Sequence, residues 1–144
     1  MIVTAYVVAM PLPLVFTRIR IGQLPPVTGP VGLVMQAIGL ALRAWSMRTL
    51  GTSYTRTLRT ADQQHVVDAG PYQLVRHPGY MGSLLTWVGF ALTSRSIPVI
   101  LLAAALLGRA YQQRIVAEEE LLQRELSDYA DYMQRTRKLV PFVW

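Results

Sequence analysis

The sequence is short of charge and contains no cysteine. Only 15% of its 144 residues are charged, against about a quarter in ordinary soluble domains. By contrast, 52% are hydrophobic and the mean hydropathy is +0.31. A small soluble domain has much surface for its volume and needs polar residues to cover it. The composition therefore excludes a disordered chain and a typical soluble globule, and it favours a protein embedded in a bilayer.

Other absences narrow the possible chemistry. The lack of cysteine excludes disulfides, zinc thiolates and cysteine nucleophiles. His65 and His77 are the only histidines, and no His, Asp and Glu set has metal-ligand spacing, so no metal site is predicted. The net charge of +6 is spread between apolar runs rather than concentrated in one patch. This pattern indicates contact with lipid headgroups and not with nucleic acid.

Four charge-free runs organise the chain. A transmembrane helix needs about 20 mainly apolar residues, and these runs approach or reach that length. They predict an all-α fold: a multi-span integral membrane helical bundle of about four transmembrane helices, in a single domain over residues 1–144. The expected spans are residues 1–17, 29–45, 79–94 and 97–113.

The two segments between and after these spans, 46–78 and 114–144, are charged. They carry nine Lys or Arg residues, whereas the opposite side of the predicted bundle carries three. By the positive-inside rule, both charged segments face the cytoplasm. The sequence thus predicts a multi-pass protein whose chemistry faces the cytoplasm.

Local patterns predict the connections and the C-terminal helix. The proline-rich stretch Gln23–Pro30 indicates a turn between the first two spans. Ser94-Arg95-Ser96 before Pro98 predicts a tight turn with N-cap chemistry, which makes the last two spans a helical hairpin. Residues 110–138 have the pattern of a cytoplasmic amphipathic helix. Its apolar stripe comprises Leu122, Leu126, Tyr129 and Met133.

The densest cluster of unusual residues is GPYQLVRHPGYMG, from Gly70 to Gly82. It stands at the mouth of the third span, where an arginine and a histidine need polar partners or access to the interface. Pro71 and Pro78 fix the backbone, while Gly79 and Gly82 permit the close approach of another group. An interfacial anchor explains any one of these residues. The whole string favours a binding site, because anchoring does not require such control of the backbone.

A second cluster is Arg114 followed by Glu118, Glu119 and Glu120. Glu118 and Glu119 project near the apolar stripe, whereas Glu120 points away from it. One interpretation is a solvated ion pair between Arg114 and Glu118, which are four residues apart. The other is a carboxylate directed at the mouth of the bundle. Spacing alone leaves both open.

Together these clusters resemble a known family. Gly70-Pro71-Tyr72 and the string from Arg76 to Gly82 are similar to the GPYxxxRHPxYxG signature of the isoprenylcysteine carboxyl methyltransferases, within the wider group of membrane phospholipid methyltransferases. The resemblance covers about residues 40–141. The matching residues outside the signature are Leu42-Arg43-Ala44-Trp45, Leu50-Gly51, Arg114, Glu118-Glu119, Tyr129, Tyr132 and Leu139-Val140-Pro141. The chain departs from the family at Leu126-Ser127-Asp128, where Phe-Gly is usual, and at Gln64, where histidine is usual.

The resemblance implies a methyltransferase that uses S-adenosyl-L-methionine and releases S-adenosyl-L-homocysteine. Its cofactor pocket would lie at the membrane–cytoplasm interface. Arg76 and Arg114 would be the catalytic residues, meeting the substrate carboxylate with the planar guanidinium fork that suits it. The residues implied to line the cofactor are Gln64, His65, Val66, Val67, Tyr72, His77, Pro78, Gly79, Tyr80, Glu118 and Glu119.

The resemblance favours carboxyl O-methylation of an isoprenylcysteine-like or other lipophilic acid that enters from the bilayer. N-methylation of a phospholipid amine and S-methylation of a small thiol stay open, as do a nicotinamide-dependent lipid reductase and a non-catalytic membrane protein. A base near the methyl group would distinguish an amine acceptor, because an amine must lose a proton. His77 or Glu119 could serve as that base.

Overall fold

The computed structural model describes residues 4, 7–8, 10–11, 22–51 and 66–140. Within these ranges the chain is helical, with two isolated β-bridges and no longer strand. A 3₁₀ turn, Gly70–Gln73, precedes the second helix. The α-helices are α1 (Thr28–Leu50), α2 (Pro78–Thr93), α3 (Ile97–Glu125) and α4 (Tyr129–Arg135). The predicted all-α class is confirmed.

Helix α3 is the longest element, with 29 residues. Among the described helices, it is the one that is both long and apolar enough to cross a membrane. With 16 residues, α2 falls short of the roughly 20 that a span needs. The number of spans therefore stays a prediction. Since a helix rises about 1.5 Å per residue, the first 20 residues of α3 cover about 30 Å, and Glu118 and Glu119 lie beyond that apolar length.

Helices α1 and α2 touch through their backbones at two pairs of glycines. A Cβ atom on Gly32 would lie 2.5 Å from the carbonyl oxygen of Gly89, and one on Gly39 would lie 2.5 Å from that of Gly82. Side chains at these positions would collide with backbone, so glycine is required. Because the earlier glycine of α1 faces the later glycine of α2, the helices are antiparallel. The seven-residue spacing on each helix keeps both contacts on one face.

Helices α2 and α3 form the predicted hairpin through Ser94-Arg95-Ser96. Arg95 adopts a left-handed backbone conformation with φ of 56°, and its Nε donates to the carbonyl oxygen of Leu24 at 3.0 Å. The turn is confirmed, but its predicted capping chemistry is wrong. Ser96 occupies the N-cap position without a side-chain cap hydrogen bond, and its buried hydroxyl has no partner in the part of the chain that the structure describes. The core between the two helices comprises Ala91, Val99, Ala103, Leu107 and Tyr111.

The prediction of one continuous helix over 110–138 is also wrong. Helix α3 ends at Glu125, Leu126 is extended with φ of −120° and ψ of 112°, and the seven-residue α4 follows. The Ser127 hydroxyl hydrogen-bonds the Asp128 carboxylate at 3.0 Å. Serine and aspartate favour turns over helix interiors because their short polar side chains compete for local hydrogen bonds. The chain therefore turns here and returns along α3 instead of continuing outward.

The glycine contacts make a direct prediction about stability. Gly39→Ala should destabilise the protein by about 2 kcal/mol, because overpacking a close contact forces the helices apart. Gly108→Ala in α3 is the matched control, since a Cβ there meets nothing within 4 Å. Thermal unfolding in detergent measures both variants. Equal melting temperatures for the two would contradict the backbone contact.

Candidate active site

The segment that leads into α2 lies beside the C-terminal segment. Val75 and Arg137 form a parallel β-bridge. The backbone N–H of Arg76 donates to the carbonyl oxygen of Arg137 at 2.7 Å. The backbone N–H of His77 donates to the carbonyl oxygen of Lys138 at 3.1 Å. Pro78 then starts α2, where its missing N–H loses no helical hydrogen bond. These contacts bring residues more than 50 positions apart in sequence to one end of the α2–α3 hairpin.

Glu119 is the centre of a buried ion cluster at this end. Its Oε1 accepts from Arg76 Nε at 2.8 Å and lies 3.3 Å from His77 Nε2, while its Oε2 lies 3.2 Å from Lys138 Nζ. Glu119 is 4% exposed. Burial pushes the pKa of Glu119 upward, but hydrogen bonds from His77 and Arg76 outweigh it and hold that pKa at about 2. The carboxylate is therefore charged at neutral pH.

Arg76 also holds the C-terminal segment directly. Its NH1 donates to the carbonyl oxygens of Met133 at 3.0 Å and Thr136 at 2.6 Å. Three of the five guanidinium N–H bonds therefore point at protein atoms. The structure places Arg76 inside a supporting cluster that connects α2, α3 and the region around α4. The contact with substrate that the resemblance implied for Arg76 stays a prediction.

A second group of side chains meets at the hydroxyl of Tyr80. Arg114 Nε donates to this oxygen at 3.1 Å, and the hydroxyl donates in turn to the carboxylate of Glu118. The Tyr80 ring stacks on His77, with centroids 5.6 Å apart, and contacts Tyr111 at 5.3 Å. The structure thus brings together the start of α2 and the charged end of α3. We call Tyr80, Arg114 and Glu118 the Tyr80 cluster.

The position of Glu118 bears on the two interpretations that the spacing left open. Glu118 is half-buried and meets α2, whereas the Glu120 side chain is 61% exposed. Arg114 and Glu118 both reach Tyr80, so they act across the helix pair and not only along one solvated face. The geometry favours a carboxylate directed at the mouth of the hairpin.

The remaining residues that the resemblance implied divide into two groups. Tyr72 and Pro78 are buried, and the Tyr72 carbonyl accepts from the Tyr132 hydroxyl at 2.7 Å. Burial raises the pKa of Tyr132 above its usual range, so its hydroxyl stays protonated and able to donate. Gly79 lies against Ser46 of α1. Val66 and Val67 are half-buried in the segment before the 3₁₀ turn, and Gln64 and His65 lie outside the described residues.

The sequence reasoning gave no role to three participants. Lys138 reaches Glu119 from the C-terminal segment, and no local pattern marks that contact. Tyr111 packs against Tyr80, but in the sequence it is one more aromatic residue in an apolar helix. Arg43 of α1 hydrogen-bonds Ser83 of α2, and only the uncommon position of a charge inside an apolar run signals it.

This fold is also that of an intramembrane enzyme of known structure. The solved structure of the eukaryotic intramembrane Ras methyltransferase ICMT, an isoprenylcysteine carboxyl methyltransferase, superposes with a TM-score of 0.79 and 21% sequence identity. The match covers 98% of this chain and 52% of that one. The chain therefore shares its fold with about half of that membrane protein.

Sequence comparisons identify the family. The Phospholipid methyltransferase family model matches residues 27–128, and the chain belongs to that family. A probable protein-S-isoprenylcysteine O-methyltransferase of Oryza sativa subsp. indica is 34% identical over 116 residues, which cover 78% of this chain and 61% of the relative. Protein-S-isoprenylcysteine O-methyltransferase B of Arabidopsis thaliana is 33% identical, with 78% and 58% covered. The chain spans about three fifths of the length of these relatives, and the resemblance read from its motifs is confirmed.

The buried cluster predicts a specific dependence of stability on pH. The pKa of Glu119 is lowered from 4.5 to about 2, so its ionised form stabilises the fold above pH 4.5, and this contribution is lost as the pH falls towards 2. Glu119→Gln should lower the free energy of unfolding at pH 7 by about 3 kcal/mol, because it leaves buried cations without their partner. The difference in melting temperature between wild type and variant should shrink between pH 5 and pH 3.

Glu120→Gln is the control for this experiment. Glu120 is the next residue in the sequence, and its side chain is exposed. Its Oε2 lies 4.0 Å from Arg124 NH2, which is the upper limit of an ion-pair distance. Such surface pairs contribute little to stability, so this variant should melt with wild type across the same pH range. A Glu119→Gln difference that stays constant down to pH 3 would contradict a charged Glu119.

Proposed function

We propose that the protein is an S-adenosyl-L-methionine-dependent membrane methyltransferase that methylates the carboxyl group of an isoprenylcysteine-like or other lipophilic acid. The Tyr80 cluster is the observation that carries the proposal. It joins the two motifs of the family resemblance, RHPGYMG and RxxxEE, through hydrogen bonds between α2 and α3. Family membership and the names of the relatives support the same chemistry.

The residues of this region suit the cofactor chemically. S-adenosyl-L-methionine supplies a methyl group carried on a positively charged sulfur. Glu118 offers a carboxylate to that cation or to the amino group of the same molecule, and the partly exposed ring of Tyr80 offers an aromatic face that attracts cations. The residues that would hold it are therefore Tyr80, Glu118 and their neighbours, with Gln64–Val67 and Tyr72 as further proposed contacts.

The protein has to align the acid with the methyl group of the cofactor. The reaction itself needs no proton transfer. A lipophilic carboxylic acid is ionised at pH 7, so its oxygen attacks directly. The cofactor, held by Tyr80 and Glu118, would supply the methyl group and would keep the electron pair of the carbon–sulfur bond that breaks as the carbon–oxygen bond forms. Arg114 orients the Tyr80 hydroxyl and lies close enough to that region to attract the acid. Proximity and exclusion of water supply most of the acceleration in such an in-line transfer.

We assign Arg76, His77 and Glu119 to support of the site. Their cluster fixes the first turn of α2, on which Tyr80 lies, relative to the end of α3, on which Glu118 lies. Small displacements of aligned groups strongly lower the reaction rate. The buried position of His77 and Glu119 also makes them poor acceptors for a proton from substrate.

N-methylation of a phospholipid amine is the second candidate, because the matching family model is described by phospholipid methylation. An ammonium acceptor must lose a proton before it can attack. Glu118, half-buried and hydrogen-bonded to Tyr80, is the carboxylate that would receive it. The acid is favoured because two of the sequence relatives are named as a probable protein-S-isoprenylcysteine O-methyltransferase and as protein-S-isoprenylcysteine O-methyltransferase B.

The proposal is tested by calorimetric titration of the purified protein with S-adenosyl-L-homocysteine. Wild type should bind it, and Glu118→Gln and Tyr80→Phe should each weaken binding about tenfold or more, since each removes a hydrogen bond to or through a charged group. Glu120→Gln is the matched control and should bind within a factor of two of wild type.

The acceptor is identified by transfer of a labelled methyl group to three probes. These are N-acetyl-S-farnesylcysteine, a phosphatidylethanolamine vesicle and a small thiol. We expect the farnesylated acid to be methylated fastest. A wild type that fails to bind S-adenosyl-L-homocysteine overturns the proposal, and one that binds a nicotinamide cofactor instead points to a reductase.

A further inference from the structure

A cavity of about 420 Å³ lies against the side of α3 that faces away from α2. Its described lining residues all belong to α3, and they are Arg109, Gln112, Gln113, Val116, Ala117 and Glu120. Successive residues are about 100° apart around a helix, so these six share one side. Tyr111, Arg114 and Glu118, which contact Tyr80 of α2, lie on the opposite side. The cavity is therefore separate from the Tyr80 cluster.

The cavity side of α3 changes from apolar to polar along the helix. Leu102 and Ala105, in the second and third turns, are exposed and apolar, whereas the exposed residues Arg109, Gln112 and Gln113 follow one turn later. Helix α3 has the length and composition of a membrane span. Its polar stretch begins about 18 Å from the start of the helix, inside a hydrocarbon layer about 30 Å thick. A charge and two amides at this depth need polar contacts that lipid tails do not supply.

The charge of Arg109 is not balanced within the part of the chain that the structure describes. Seven of the eight acidic residues of the sequence lie in that part, and none of the ion pairs they make there includes Arg109. Glu120 lies at the far end of the cavity, roughly 16 Å further along the helix, and pairs with Arg124. The Arg109 end of the cavity is therefore positively charged, and the neighbouring amides of Gln112 and Gln113 add hydrogen-bond donors.

We propose that this cavity binds the phosphate of an anionic phospholipid from the leaflet on the charged side of the protein. Arg109 binds the phosphate oxygens with its planar fork, and Gln112 and Gln113 donate to the same group. The acyl chains lie along Leu102 and Ala105. A soluble anion matches only the polar half of this side of α3, whereas a phospholipid matches both halves. The positive-inside rule predicts that the leaflet is the cytoplasmic one, whose surface is negatively charged.

The test is native mass spectrometry of the purified protein in detergent, titrated with phosphatidylglycerol or with phosphatidylcholine. Wild type should retain one phosphatidylglycerol and bind phosphatidylcholine more weakly. Arg109→Gln should weaken phosphatidylglycerol binding about tenfold, the effect expected for loss of a charged hydrogen bond. Arg109→Lys keeps the charge but not the fork, so it should weaken binding less. Both variants should keep the wild-type affinity for S-adenosyl-L-homocysteine, because the cavity lies across α3 from the Tyr80 cluster.

Arg48→Gln is the matched control, because it removes the same charge from an exposed position in the last turn of α1. It should bind phosphatidylglycerol as wild type does. An equal loss of binding in Arg48→Gln and Arg109→Gln would overturn the site, and so would equal binding of the two lipids by wild type. If Arg109→Gln does not fold, Arg109→Lys carries the test, and unchanged binding in that variant overturns the site.

Three further measurements test other occupants of the cavity. Excess inorganic phosphate should not displace phosphatidylglycerol, and displacement would assign the cavity to a soluble anion. Asp62→Asn should leave lipid binding unchanged, since tighter binding would show that Asp62 already neutralises Arg109. A wild-type dimer that Arg109→Gln dissociates would assign this side of α3 to a second copy of the chain. Each of these contrary results overturns the lipid site, whereas failure to bind S-adenosyl-L-homocysteine overturns only the proposed function.

Discussion

The Glu119 carboxylate is the interaction on which the arrangement of this end of the molecule depends. It stands on α3 and is shared by Arg76 and His77 at the start of α2 and by Lys138 of the C-terminal segment. Removal of one member leaves the others charged and buried, a state far less favourable than the intact cluster. Tyr80 is three residues after His77, and Glu118 directly precedes Glu119. The buried Glu119 cluster therefore also sets the geometry of the Tyr80 cluster.

The glycine contacts between α1 and α2 impose the complementary constraint. They bring the two backbones so close that a Cβ atom on Gly39 or on Gly82 would collide with the facing helix. Arg43 lies at this contact, because a Cβ atom on Gly82 would be 2.8 Å from its backbone nitrogen. Its side chain reaches Ser83 of α2. One cluster of charges thus sets α2 against α3, and one pair of glycine contacts sets α2 against α1. Helix α2 is therefore held by α1 on one side and by α3 on the other.

The sequence predicted elements and motifs better than contacts. Apolar runs and breakers located α2 and the Ser94–Ser96 turn, because these depend on local chemistry, whereas the span predicted for residues 29–45 continues in α1 to Leu50. The motifs identified Tyr80, Glu118 and Glu119 but not their different tasks, since burial of Glu119 depends on Lys138 and Thr136 far along the chain. The break at Leu126 was missed because the apolar stripe continues through it, and the close approach of Gly39 to Gly82 requires knowledge of which helices are neighbours.

The uninterrupted course of α3 has a mechanical consequence. Glu118 lies 21 residues beyond Ile97 in the same helix. It is therefore about 32 Å from the hairpin turn. A tilt of about 5° about that turn would displace Glu118 by about 3 Å, so the alignment of the Tyr80 cluster depends on the Glu119 cluster, which ties the same end of α3 to the start of α2. Membrane helices adjust their tilt to the thickness of the bilayer. The Glu119 cluster therefore holds the open end of the α2–α3 hairpin together when the tilt of α3 changes.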